Sequence, residues 1–159
     1  MSDKSYLSVY AKSFSWAGFF LPRETLKKCS VLYDFCRVAD NIADDKDEIE
    51  VKEKKFAEFE NDFYQKKFDN LIVKNMWGIM EEFNISIKIV QDLLAGIKSD
   101  IRERVELNSK KDLLIYSYRV AGTVGLMMAK ILNVTKKNSL KSAIDLGIAM
   151  QLTNISRDV

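Results

Sequence analysis

Two short stretches hold the side chains best placed to do chemistry. In CRVADNIADD, residues 36–45, Asp40 and Asp44 stand four apart at the end of an apolar run, with Arg37 one turn earlier. In QLTNISRDV, residues 151–159, Asn154 and Asp158 repeat that spacing beside Arg157. On a helix each pair shares one face. Like charges at this spacing cost about 0.2–0.5 kcal/mol, and a helix ending near Asp45 would turn the negative end of its dipole on both acids. The arrangement asks for a cation. If the two stripes face each other, three carboxylates and one amide carbonyl make an all-oxygen ligand set. Hard divalent ions that keep water and accept phosphate oxygens suit it, Mg²⁺ above all with Mn²⁺ as a substitute. The planar fork of Arg37 suits phosphate oxygens. The plainer alternative is two internal ion pairs, Arg37 with Asp40 and Arg157 with a neighbouring acid, which leaves Asp44, Asn154 and Asp158 without an obvious partner.

The elements that must position these residues read as helices, six or seven of them, with no strand. One proline and six glycines in 159 residues leave little room for turns. A first helix is expected over about 3–13, and a second from Pro22, which suits the first helical turn, to Asp44. Within it Val31, Phe35, Val38 and Ile42 form one apolar stripe, and Leu32, Cys36, Ala39 and Ala43 a second. Tyr33, Arg37, Asp40 and Asp44 occupy the remaining side of a helix that is apolar enough to be interior. Asp45 with Glu48 resembles a capping box for a charged outer helix to about Lys67, burying Val51, Phe56, Phe59 and Phe63. Further helices are expected over about Asp69–Glu82, Ser86–Val105, Ser109–Leu132 and from Asn138 or Ser139 to the last residue. The last repeats the interior pattern, with Ile148, Leu152, Ile155 and Val159 on one face and Gly147, Gln151, Asn154 and Asp158 on another. The fold class is all-α, a helical bundle in a single domain, residues 1–159.

Composition narrows the chemistry. Histidine is absent, which removes His-based zinc sites, Glu-x-x-His di-iron bundles and Ser-His or Cys-His nucleophiles. The net charge of +2 comes from mixed signs along the chain, so nucleic acid is not an expected partner. No apolar run is long enough to cross a bilayer, and without a charged, apolar and cleavage-site sequence at its start a secretory signal is not expected. Cys29 and Cys36 suit reduced thiols in the cytoplasm. The chain has six arginines against nineteen lysines, and three of the six lie in or beside the polar segments. In YSYRVAGTVG, residues 116–125, Gly122 and Gly125 interrupt a helical run, either for close packing or for a kink that makes room for a bulky substrate. GLMMAKIL, which follows, reads as core.

Several ordered segments resemble the trans-isoprenyl diphosphate synthases of the squalene and phytoene synthase group. AKSFSWAGFFLP is similar to that group's N-terminal segment, LYDFCRVADNIAD to its first aspartate motif, and YSYRVAGTVGLMMAKIL and DLGIAMQLTNISRDV to its two later motifs. The last two look most like bacterial phytoene synthases. The resemblance implies an isoprenoid synthase-type helical bundle in which Asp40, Asp44, Asn154 and Asp158 bind Mg²⁺. It implies diphosphate contacts from Lys12, Ser13, Tyr33 and Arg37, active-site positions for Tyr116 and Gln151, and a tunnel wall from Val120, Ala121 and Val124. The implied reaction is head-to-head condensation of two geranylgeranyl diphosphates to phytoene through a cyclopropyl diphosphate, without NADPH. Squalene-type relatives use farnesyl diphosphate instead. Tyr10 stands where some relatives have histidine. Relatives continue past Val159 through more acids and helices, so an N-terminal portion of a longer enzyme is expected. The implied setting is cytoplasmic, with peripheral contact at the inner face of the membrane, and the oligomeric state is left open. Two other classes compete: a non-catalytic scaffold that kept the fold, and a four-helix interaction module with internal ion pairs.

Overall fold

The structure is a computed structural model in which residues 21–102 and 107–158 are described, and every regular element among them is helical. The helix expected at 3–13, with Tyr10, Lys12 and Ser13, lies outside the described residues. Helix α1 spans Arg23–Ala43. Pro22 sits just ahead of it as the N-cap, and its carbonyl accepts from the Leu26 N–H at 2.9 Å. Cys29, Leu32, Phe35, Ala39 and Ala43 form its buried face, and Val31, Cys36, Val38 and Ile42 pack partly buried against the same core. The interior helix expected from its two apolar stripes is therefore present.

Helix α2, Ile49–Tyr64, starts later than the capping-box reading placed it. Glu48 is its N-cap, and Asp45 and Asp47 both pair with Lys55 instead. Those ion pairs hold Asp45 in the connection and away from the helix amides. Phe56, Phe59 and Phe63 are buried as expected, whereas Val51 is 43% exposed. The aromatic centre of the bundle is Phe35, whose ring lies 5.2 Å from that of Phe59 and 5.4 Å from that of Phe63. Phe63 in turn stacks on Trp77, whose indole N–H donates to the Phe63 carbonyl at 2.9 Å. Tilted and stacked rings at these separations add favourable quadrupole contacts to the area they bury.

Helix α3, Leu71–Glu82, is capped by Asn70, whose side chain accepts from the amides of Ile72 and Val73. Helix α4, Ile87–Ser99, is capped by Ser86 as expected. It ends at Ser99, well short of Val105, and Asp100 is its C-cap.

The single helix expected from Ser109 to Leu132 is three pieces. Helix α5, Lys110–Ser117, begins at the Ser109 cap. A π-helical turn follows over Tyr118–Gly122, then helix α6, Thr123–Ile131. The Thr123 hydroxyl donates to the Arg119 carbonyl at 2.7 Å inside this irregular turn, a local bond that competes with regular helix geometry. One extra residue in a turn rotates the following face by about 100°.

Helix α7, Lys137–Asp158, lies on the π turn and α6. A Cβ on Gly147 would collide with the Ala121 carbonyl, and one on Gly125 with the Ala143 carbonyl. Close packing is thus what these glycines provide. The expectation of an interior last helix is not met. Among its described residues none is fully buried, and Leu146 and Met150 are 62% and 60% exposed. Only one face of α7 meets the helices described here, through small residues that bring the backbones together.

Candidate active site

The first polar constellation sits where α1, α4 and α5 meet. Asp40 is partly buried and Asp44 exposed at the end of α1, whose last carbonyl, that of Ala43, accepts from the Lys52 ammonium at 3.0 Å. Lys52 thus complements the helix end. The Asp40 carboxyl is pushed up to about 6, mainly by burial, with Asp44 and Asp100 adding repulsion and Arg37 opposing them. Asp100 is also pushed up to about 6, by burial first and by Asp44, against the hydrogen bond it accepts from the Tyr116 hydroxyl at 2.9 Å. The Tyr116 phenol is held well above its ordinary range by burial and by Asp100, Asp40 and Asp44. Residues far apart in sequence therefore share one electrostatic environment.

Asp100 is the member that sequence reasoning missed. A helix running to Val105 would leave it on an ordinary charged turn before Arg102. With the helix ending at Ser99, it becomes an acid at a C-terminus, where the dipole disfavours negative charge.

Oxygen donors crowded by like charge are the chemistry a hard cation relieves. Asp40 and Asp44 are enough protein ligands for Mg²⁺, which keeps several waters and takes substrate phosphates for the rest of its shell. Among the described residues no group of three or more acidic, cysteine or histidine side chains is arranged to hold a metal. Asp40 and Asp44 are the pair that α1 would offer such an ion, with Asp100 of α4 within electrostatic reach of both. Arg37 and Tyr33 share its helix, both partly buried.

The second feature is a cleft of about 500 Å³ between the π turn, α6 and α7. Val120, Ala121 and Val124, expected as a wall, line it; its polar members are Ser139 near the start of α7 and Gln151 and Asn154 near its end. GLMMAKIL divides between two roles, which corrects its reading as core. Met127 and Ile131 are buried, Ala129 is buried beside the cleft, and Gly125, Met128 and Leu132 face it. Period 3.6 gives an apolar helix two usable faces, and the π turn sets which residues each receives. Asp158 ends the α7 backbone, and its side chain lies outside the described residues.

A sequence profile described as squalene/phytoene synthase matches residues 7–159. The chain belongs to the squalene/phytoene synthase family. It is 32% identical to a 15-cis-phytoene synthase from Pantoea ananas over 96% of this chain and 53% of that protein. It is 34% identical to a phytoene synthase from Cereibacter sphaeroides over 92% of this chain and 44% of that protein. A crystal structure of a dehydrosqualene synthase in complex with ligand matches with a TM-score of 0.73 and 29% identity, covering 94% of this chain and 52% of that one. The chain thus spans about half the length of these family members. The all-helical architecture agrees with the match to that structure. Among the described residues no helix is long and apolar enough to cross a membrane.

Proposed function

We propose that this chain is the N-terminal portion of an isoprenoid synthase domain that joins two allylic diphosphates head to head. The preferred substrate in this reading is geranylgeranyl diphosphate and the product phytoene, formed through a cyclopropyl diphosphate with Mg²⁺ or Mn²⁺ and without NADPH. The observation that carries it is the largely apolar cleft that carries the amides Gln151 and Asn154 at one end, in a chain that also bears the crowded acids Asp40, Asp44 and Asp100. A long hydrocarbon needs the first, and a metal-bound diphosphate the second.

In this reading Asp40 and Asp44 hold the metal, together with Asn154 and Asp158. Bound there, the ion supplies electrostatic stabilisation to the departing diphosphate. Arg37 contributes a planar fork to diphosphate oxygens, joined by Tyr33 and by Lys12 and Ser13. Breaking the allylic C–O bond of one substrate leaves a cation, which the double bond of the second attacks. Val120, Ala121 and Val124 offer that cation no nucleophile and exclude water from it. Gln151 and Tyr116 supply polar groups at the reacting end. A location in the cytoplasm, with peripheral membrane contact to pass on an apolar product, belongs to the same reading.

A second reading is condensation of farnesyl diphosphate to dehydrosqualene or squalene. The match to a dehydrosqualene synthase structure favours it. Incubation of the full protein with each diphosphate and Mg²⁺, followed by product analysis, separates the two. Phytoene from geranylgeranyl diphosphate is expected. Product from farnesyl diphosphate alone selects the second reading, and turnover of neither contradicts both.

A further inference from the structure

Asp100 occupies a place that ordinary stability arguments do not explain. It is the C-cap of α4, with its own N–H donating to the Ile97 and Lys98 carbonyls, so its carboxylate stands at the negative end of that helix. It is partly buried and within electrostatic reach of Asp44, a second penalty. What it does make is one well-formed side-chain bond, accepting from the Tyr116 hydroxyl at 2.9 Å across sixteen residues of sequence. Tyr116 stands two residues before the π turn that presents Val120 and Ala121 to the cleft.

A phenol has one proton to donate and lone pairs with which to accept. A Tyr116 hydroxyl free to rotate could donate to a diphosphate oxygen. Once its proton is committed to Asp100, the oxygen can only accept, and its partial negative charge is available to a positive centre. We propose that Asp100 is a positioning residue, which fixes the Tyr116 hydroxyl as an acceptor so that it favours the cationic stage of the reaction over capture of the leaving diphosphate. The proposal rests on the head-to-head condensation proposed above, with Tyr116 in its active site. Asp100 acts through Tyr116 and need not touch substrate or metal.

The test is a double-mutant cycle in the full protein, combining Asp100→Ala, Asp100→Asn, Tyr116→Phe and the Asp100→Ala/Tyr116→Phe pair, with kcat and KM measured separately. Asp100→Ala is expected to lower kcat on the order of 10–100-fold, the scale of a misplaced active-site group. KM should stay within about threefold, because ground-state binding is not what the bond serves. Asp100→Asn, whose amide oxygen still accepts the bond, should recover most of the loss. In the Tyr116→Phe background, Asp100→Ala should cost almost nothing further. Losses that simply multiply, or an Asp100→Ala enzyme with native kcat, would overturn the proposal.

A second readout is independent of turnover. With 3-fluorotyrosine at position 116, wild type should give one sharp ¹⁹F resonance, and Asp100→Ala should shift or broaden it while Asp100→Asn does not. An unmoved resonance in Asp100→Ala contradicts the positioning role. If wild type turned over no allylic diphosphate, the functional reading would fail while this resonance still decided the orientation of Tyr116.

Discussion

Gly147 of α7 rides directly on the Ala121 carbonyl of the π turn, so closely that a Cβ at 147 would overlap it. One backbone contact thereby joins the helix that carries Gln151 and Asn154 to the turn that supplies Val120 and Ala121. The cleft between them owes its width to the absence of a side chain. Gly147→Ala should push α7 away and cost about 1–3 kcal/mol, the usual range for overpacking. Thermal unfolding measures the loss, and binding of a geranylgeranyl diphosphate analogue should weaken in parallel.

The core prediction concerns Phe35, which is fully buried against Phe59 and Phe63. Phe35→Ala removes the ring at the centre of that cluster and should destabilise the fold by about 3–5 kcal/mol. Phe35→Leu, which keeps most of the volume, should cost clearly less in urea unfolding.

The acid constellation predicts an unusual pH dependence. A carboxyl whose folded-state value is raised binds more protons folded than unfolded between its two values, so its contribution to stability falls as pH rises. For Asp40, that window runs from just below 4 to about 6. Burial, Asp44 and Asp100 act against its charged form, and only Arg37 assists it. Asp40→Asn should therefore match wild type near pH 4 and exceed it by about 1–3 kcal/mol at pH 7. Urea unfolding of both proteins across this range measures the difference.

Much of this was legible from residue order alone. The 4, 3, 4 spacing along α1 identified an interior helix with one polar side, because burial and charge segregate at helical period. Ser86 and Ser109 declared their helix starts through ordinary capping chemistry. The start of α2 was misjudged because Asp45 had two uses, capping or pairing, and Lys55 lies two turns into α2. Gly122 and Gly125 offered close packing or a kink, and the segment holds both, a π turn ending at Gly122 and α7 packed against Gly125. In the site, Val120, Ala121, Val124, Gln151 and Asn154 do line one cleft. Asp100 was hidden because its role depends on where α4 stops. The pattern on α7 promised burial, yet a stripe says which face is apolar and nothing about what covers it.

Cleft width makes a specificity prediction. Val124 lies in α6 on the cleft wall, partly buried, opposite the α7 residues that complete it. Val124→Phe would place a ring in that space and should lower kcat/KM for geranylgeranyl diphosphate by about 10–200-fold, the range for altered fit in an apolar pocket. Farnesyl diphosphate, which needs less length, should suffer less, and paired steady-state assays report the ratio.

The central claim is that Asp40 and Asp44 hold a divalent ion that in turn holds diphosphate. Calorimetric titration of a non-hydrolysable isoprenoid diphosphate analogue, with and without Mg²⁺, tests it most directly. The account predicts binding that requires Mg²⁺ in wild type and is lost in the Asp40→Ala/Asp44→Ala double variant, while circular dichroism remains helical. Binding of equal strength in that variant, or binding indifferent to Mg²⁺ in wild type, would contradict it.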